Sequence, residues 1–543
     1  MRYGGELVQI RGFDGQSGEP NRSPADRWNS LGLPYLFERG GLDLEKDAIV
    51  FADRTRTYGE VRDRARRVAG GLIGIGVEPG DRVAVLSANS LEYLEIEVGI
   101  SAARGVMVPL NWRLRGGELA NLLRRSGSQT IFVEDRFLHT VAELRRTGEV
   151  PELRTIIALG DGAGDLGYEE LCASASGAHP GRPTRMDDLH EIIFTSGTTG
   201  EPKGVTWSDG TVLWNSIQQA MDFRLGPNHA SYAIIDLYYI GGRHDFTWPI
   251  LHQGGTVHIK PSSNFDAEET IRYVAEHGVT HILWVPTMLY EIFRLPNLAE
   301  YDLSRLEMIM CGGQPVSADT AERAAAAFPA TDFVHVYGLT EGGGSVTFLP
   351  PGKSREKAGS AGLPSQHVEL RVIDEEGEDV PVGVDGEIAI RAPSVTPGYW
   401  ADPEMTDRLI VDGYLLTGDM GRLDDEGYLY ISGRKDDMII SGGMNVFPSE
   451  IEDVLRIHEG VEDAAVIGLP DRKWGEVVCA VVQLREGAEV AEEELIEHCY
   501  ERLAGFKKPS SVVVVEDIPR TAGGKPKKFV LRERMQESSA SLR

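Results

Sequence analysis

The chain is poor in cysteine, in positive charge and in long apolar runs. Four cysteines occur among 543 residues. Cys172, Cys311, Cys479 and Cys499 show no metal-site spacing, which favours a reduced, cytoplasmic protein. No apolar run reaches ~18 residues, so no membrane-spanning helix is expected. The stretch from Met1 to Pro20 is polar and glycine-rich, without the apolar core of a signal peptide, and reads as a poorly ordered lead-in. Lysine and arginine number 55 against 84 aspartates and glutamates, a formal charge of −29. That balance argues against nucleic acid or an anionic membrane as partner. It also requires that any polyanionic ligand be met by cations placed for the purpose.

What is present is the composition of an ordinary globular protein, 41% apolar and 26% charged. The length exceeds one hydrophobic core, so two or more domains are expected. Val83-Ala84-Val85-Leu86 and Val106-Met107-Val108-Pro109-Leu110 read as buried strands. Between them, Leu91 to Ala103 has helical spacing, with Leu91, Leu94 and Val98 on one face. The alternation resumes at Glu191 and runs to about Tyr337. It predicts an α/β fold of layered subdomains with largely parallel strands. From Gly362 to Tyr399 the period falls to two, which predicts a small antiparallel β unit. Gly433-Arg434-Lys435-Asp436-Asp437 is a polar joint between apolar strands. Beyond it an α+β module follows, with Ile451, Val454 and Leu455 on one amphipathic helix and Leu495, Ile496, Cys499 and Leu503 on another. The expected division is a large domain over 1–435 and a small α+β domain over 436–543.

The densest signal is Thr195-Ser196-Gly197-Thr198-Thr199-Gly200-Glu201-Pro202-Lys203-Gly204, directly after the apolar run Ile192-Ile193-Phe194. Glycines let backbone N–H groups approach a phosphate, hydroxyls add hydrogen bonds, and Lys203 adds charge. The spacing is not that of a Walker A loop. Downstream stand Gly312-Gly313-Gln314-Pro315, Tyr337-Gly338-Leu339-Thr340-Glu341 and Thr417-Gly418-Asp419. A carboxylate beside a triphosphate suits Mg²⁺, which prefers oxygen and takes few protein ligands. An ionised carboxylate in a turn can accept from two hydroxyls at once. Past the joint come Ser441-Gly442-Gly443-Met444-Asn445-Val446-Phe447-Pro448 and Arg520-Thr521-Ala522-Gly523-Gly524-Lys525, which sets a lysine on a glycine arm.

In this order the motifs resemble the adenylate-forming superfamily: acyl-CoA synthetases, amino-acid adenylation domains and beetle luciferases. The resemblance extends from about Leu33 to about Arg534. It implies that Thr195, Ser196, Gly197, Thr198, Thr199, Gly200 and Lys203 form the phosphate loop. It gives Thr340 to the α-phosphate, Glu341 to Mg²⁺, Tyr337 with Gly338 to adenine, Asp419 to the ribose hydroxyls and Arg434 to the nucleotide. Gly312, Gly313 and Gln314 would border adenine and the acyl pocket, and Lys525 would be the adenylation lysine. Asp436 matches the hinge of a mobile C-terminal domain. Gly442, Gly443 and Met444 would approach the CoA tunnel, in a form that looks like acyl-CoA synthetases rather than amino-acid adenylation domains. The implied reaction has two steps. A carboxylic acid and ATP give acyl-AMP and pyrophosphate, and CoA then gives a thioester and AMP. A carrier protein as acceptor, a luciferase-like oxygenase and a non-catalytic scaffold are the alternatives. Oligomeric state is not legible.

Two stretches depart from the family pattern. In Asp236-Leu237-Tyr238-Tyr239-Ile240-Gly241-Gly242, Tyr239 stands where the family has a histidine that borders the substrate carboxylate and the thiol tunnel, so the resemblance places Tyr239 at the acyl pocket; a tyrosine cannot serve as an imidazole near pH 7. Arg243 and His244 follow where apolar residues are expected, and they read as surface residues on the next helix. Gly342, Gly343 and Gly344 have two readings: room for a bulky hydrophobic acid, or a turn that needs positive φ.

Overall fold

The computed structural model of the chain describes residues 32–178, 183–196, 201–314, 316, 318–520 and 526–541, with Ser196 and 536–541 described in backbone alone. Gly197, Thr198, Thr199, Gly200 and Lys525, all expected at the site, lie outside the described residues, as does the lead-in before Gly32.

Short β-branched and aliphatic runs build four sheets among the described residues. The first has the spatial order Gly398–Tyr399, Pro202–Ser208, Leu189–Ser196, Val106–Pro109, Arg82–Leu86, Thr130–Val133, Thr155–Ala158 and Leu166–Gly167. It is parallel from Leu189–Ser196 onward and antiparallel at the two strands before it. The second has a parallel centre of Asp47–Phe51, Thr256–Ile259, Ala230–Ala233, His281–Trp284, Met308–Cys311 and Asp332–Leu339, with Gly344–Phe348 antiparallel beyond it. One apolar cluster joins these sheets, with Val83 and Val85 from the first and Val257 and Ile259 from the second.

Helix Leu91–Ala102 belongs to that cluster and is buried at every residue except Glu92. The one-faced reading of Leu91, Leu94 and Val98 is therefore too narrow, because a helix apolar on all sides belongs in a core. It also carries Glu95 and Glu97 inward. Glu95 is met by Arg56, Arg64 and Tyr168.

The small β unit is antiparallel as expected, with Glu369–Ile373 on Gly386–Arg391 and the latter on Tyr414–Leu423. It continues past Tyr399, because Tyr414–Leu423 keeps alternating burial and pairs with Leu429–Arg434. The turn Lys435–Asp437 then leads into a separate sheet formed by Ile439–Ser441, Met444–Val446, Val461–Asp471, Gly475–Leu484 and Ser511–Val515. Helices Pro448–Ile457 and Glu492–Tyr500 place Ile451, Leu455, Leu495 and Cys499 in one apolar cluster of this sheet. Leu531, from helix Lys528–Ser541, joins a second cluster with Ala465, Ile467 and Val481. No described helix is long and apolar enough to cross a membrane.

Three of the expected motifs lie across or just after the ends of strands, at Ser196, Cys311 and Leu339. In open α/β sheets the crevice at the carboxyl ends of strands is where ligands bind.

Candidate active site

The strands that flank the expected phosphate loop, Leu189–Ser196 and Pro202–Ser208, pair antiparallel, with Thr195 opposite Lys203. The neighbouring strand Gly398–Tyr399 sets Tyr399 opposite Val205. Lys203 Nζ lies 5.7 Å from the centre of the Tyr399 ring. The Tyr399 hydroxyl donates to Glu341 Oε1 at 2.9 Å. Burial and the nearby Glu341 carboxylate push that hydroxyl far above its ordinary pKa, so it stays a donor. Tyr399 was missed by motif reading, since a lone tyrosine in a short strand carries no local signal.

The turn bearing Thr340 and Glu341 is held from both sides. Trp207 Nε1 donates to the Thr340 carbonyl at 2.8 Å, and Thr396 N donates to the Glu341 carbonyl at 2.9 Å. Tyr337, Asp419 and Arg434 form a second group. The Tyr337 hydroxyl donates to Asp419 Oδ2 at 2.7 Å, and Arg434 Nη1 to Oδ1 at 3.0 Å. Asp419 and Arg434 face each other across an antiparallel pair. Each carboxylate oxygen keeps a lone pair for a further donor, so the group can still accept hydroxyls. Gln314 is half-buried, Gly338 is exposed, and Gly313 has φ +78° with open space around it.

The glycines expected to widen an acyl pocket have another reason to be small. A Cβ at Gly342 would lie 2.7 Å from Leu339 Cδ2 and 2.9 Å from Val346 Cγ2, and one at Gly312 would lie 2.7 Å from Val336. Gly343 has φ +79° and faces the Ser394 carbonyl; Gly344 has φ +98° and faces Asn215 Oδ1 at 2.7 Å. Close packing and left-handed backbone account for these residues, which favours the turn over room for a bulky acid at Gly342, Gly343 and Gly344. Tyr239 caps the short helix Ile240–Arg243 and is 42% exposed.

Arg243 and His244 are a second correction. They are 0% and 1% exposed, not surface residues. Arg243 donates to Glu97 Oε1 at 2.8 Å and to Glu191 Oε2, and His244 Nε2 lies 2.6 Å from Glu191 Oε1. Burial works against both carboxylates, yet Arg243 holds them below the usual carboxylate range. Burial lowers the His244 pKa despite Glu191. Glu97, Glu191 and His244 bring three ligand-type atoms within 4.8 Å of one another. The Arg243 guanidinium already supplies positive charge to both carboxylates, which leaves little call for a cation there.

In the small sheet past the joint, Gly442 and Gly443 have φ +60° and +79° and close a two-residue turn between Ser441 and Met444. Two positive φ values in such a hairpin select glycine. Trp474 adds a second constraint on Gly442, its ring lying 2.8 Å from a Cβ there, whereas Gly443 has open space. Met444 is 43% and Trp474 48% exposed. Asp436 is exposed in the turn Lys435–Asp437.

The model of the AMP-binding enzyme family matches residues 38–400, and that of the AMP-binding enzyme C-terminal domain matches 450–525. A feruloyl-CoA synthase of Amycolatopsis sp is 38% identical over 92% of this chain and 98% of its own length. An indoleacetate–CoA ligase of Aromatoleum aromaticum is 34% identical over 92% of this chain and 97% of its own. Among solved structures, ATP-bound MatB from Rhodopseudomonas palustris is 31% identical with a TM-score of 0.85, covering 94% of this chain and 99% of that one. With both family models matched in order and relatives similar end to end, the chain belongs to the AMP-binding, or adenylate-forming, enzymes, in their CoA-ligase branch.

Proposed function

We propose that the chain is an ATP-dependent, AMP-forming acyl-CoA synthetase. A carboxylate oxygen attacks the α-phosphate of ATP and expels pyrophosphate. The CoA thiol then attacks the acyl carbonyl and expels AMP. The observation that carries this reading is the meeting of Lys203, Tyr399 and Glu341 at the phosphate strands, together with the Tyr337–Asp419–Arg434 group.

In this reading Lys203 and the Thr195–Gly200 loop bind the phosphates, Thr340 meets the α-phosphate, and Asp419 accepts the ribose hydroxyls. Lys525 offsets charge at the reacting carboxylate. Glu341 fits Mg²⁺, since Tyr399 takes only Oε1 and the ion needs few protein oxygens. When bound, Mg²⁺ would offset triphosphate charge. The domain boundary falls at 435/436, with Asp436 the hinge and Gly442, Gly443 and Met444 beside the pantetheine path. Positioning and electrostatics do most of the catalytic work.

The acid proposed is bulky and hydrophobic, an aromatic one above all. Support comes from the feruloyl and indoleacetate relatives and no longer from the glycines. The test is pyrophosphate release across a panel of aromatic, fatty and dicarboxylic acids, with mass detection of the products. Acyl-CoA with an aromatic acid is expected. Acyl-AMP that accumulates in the presence of CoA and is discharged only by a phosphopantetheinylated carrier protein would replace the CoA reading.

A further inference from the structure

The buried charges around Arg243 join two parts of the site. Arg243 ends the short helix Ile240–Arg243, and its guanidinium reaches three elements. Nε donates to the Leu237 carbonyl, Nη1 to Glu97 on the buried helix, and Nη2 to Glu191 on the phosphate strand. Glu191 precedes Thr195 on one continuous strand, and Leu237 lies just before Tyr239. One rigid fork therefore spans the phosphate side and the segment that the resemblance assigns to the acid.

Neighbouring contacts extend the same tie. Trp248 Nε1 donates to Glu97 Oε1 at 3.0 Å, and His190 Nε2 lies 3.1 Å from the same oxygen. The His244 ring is 4.5 Å from that of Trp207, whose indole N–H holds the Thr340 carbonyl. The His244 carbonyl accepts from Asn215 and Gln219 at 2.9 and 2.8 Å.

The two ends of the fork are not equally secure. Strand Leu189–Ser196 is paired on both sides within a sheet. Segment 234–239 is not in a strand, and Leu237 is held by two side chains, Asn89 at its N–H and Arg243 at its carbonyl. Loosening the fork should therefore free the acid-side segment and leave the phosphate strand in place.

We infer that Arg243 is a positioning residue for the acid: its guanidinium sets segment Leu237–His244, and Tyr239 with it, against the phosphate strand. The inference rests on the acyl-CoA synthetase reading. Two variants of the full chain test it. Arg243→Lys keeps the charge but lacks the planar fork. Arg243→Met with Glu191→Gln removes one charge of each sign and preserves the balance of the cluster.

Both variants are expected to raise KM for the acid roughly tenfold or more, with KM for ATP changed by no more than about twofold. Hydrogen exchange without any acid is expected to be faster in Leu237–His244 and unchanged in Leu189–Ser196. KM values that rise together for acid and ATP, or a lowered Tm with both KM values intact, would overturn the inference. So would exchange that quickens uniformly or not at all. If the wild-type chain activates no acid, the functional reading falls, while the exchange experiment still decides whether Arg243 fixes the segment.

Discussion

Tyr399 links groups that lie far apart in the chain, its ring toward Lys203 and its hydroxyl on Glu341. A hydrogen bond to a charged acceptor contributes about 1.5–3 kcal/mol. Because Tyr399 orients the carboxylate assigned to Mg²⁺, its loss should appear in metal dependence rather than in the fold. Tyr399→Phe is expected to raise the Mg²⁺ concentration for half-maximal pyrophosphate release roughly tenfold. An Mg²⁺ titration that overlays the wild type would separate Tyr399 from metal binding. At this scale the sequence exposes groups whose signal is local. Thr195, Glu341 and Asp419 announce themselves through glycines and hydroxyls beside them. Tyr399 and Arg243 do not, because their partners Glu341 and Glu97 are 58 and 146 residues away.

Elements explain the glycines better than pocket volume does. Gly343 and Gly313 share nearly the same φ, +79° and +78°, but Gly343 faces the Ser394 carbonyl while Gly313 has nothing within 4 Å. Alanine at 313 should carry backbone strain alone, about 1 kcal/mol. Alanine at 343 adds a clash with backbone and should lose about 3 kcal/mol or more. Urea denaturation of the two variants compares them; equal losses would return Gly343 to the pocket.

Strand Leu189–Ser196 carries a second testable element, His190. Burial opposes its charge, but hydrogen bonds to Asp209 and Glu97 hold its pKa at about 10, above the ordinary 6.5. A pKa raised on folding favours the folded state fully below the unfolded value. That stabilisation is lost as pH rises through the folded value. Tm should therefore fall between pH 6.5 and 10 more steeply in the wild type than in His190→Gln. Parallel slopes would show that His190 does not carry the proton.

At the scale of the molecule, periodicity was enough to read the layered α/β body, the antiparallel unit and the α+β module. It could not place Tyr414–Leu423 in the β unit, because a strand's sheet is decided by distant partners. It also could not foresee that helix Leu91–Ala102 is covered on all sides. The turn Lys435–Asp437 was legible because it is polar, and it separates strands of different sheets. If Asp436 is the hinge, proline there fixes φ near −65° and allows one domain arrangement only. Asp436→Pro should retain one half-reaction and lose the other about a hundredfold. Assays of pyrophosphate release and of thioester formation from supplied acyl-AMP distinguish the two. Unchanged rates in both would move the hinge elsewhere.

The central claim is that the acid's own oxygen attacks the α-phosphate of ATP. Isotope transfer tests it most directly. An acid labelled with ¹⁸O in its carboxylate is turned over with ATP and CoA, and the AMP formed is weighed by mass spectrometry. An acyl-adenylate route predicts one labelled oxygen in AMP, because the thiol attacks the carbonyl carbon and the bridging oxygen leaves with phosphorus. Unlabelled AMP, or label found in inorganic phosphate beside ADP, would contradict it.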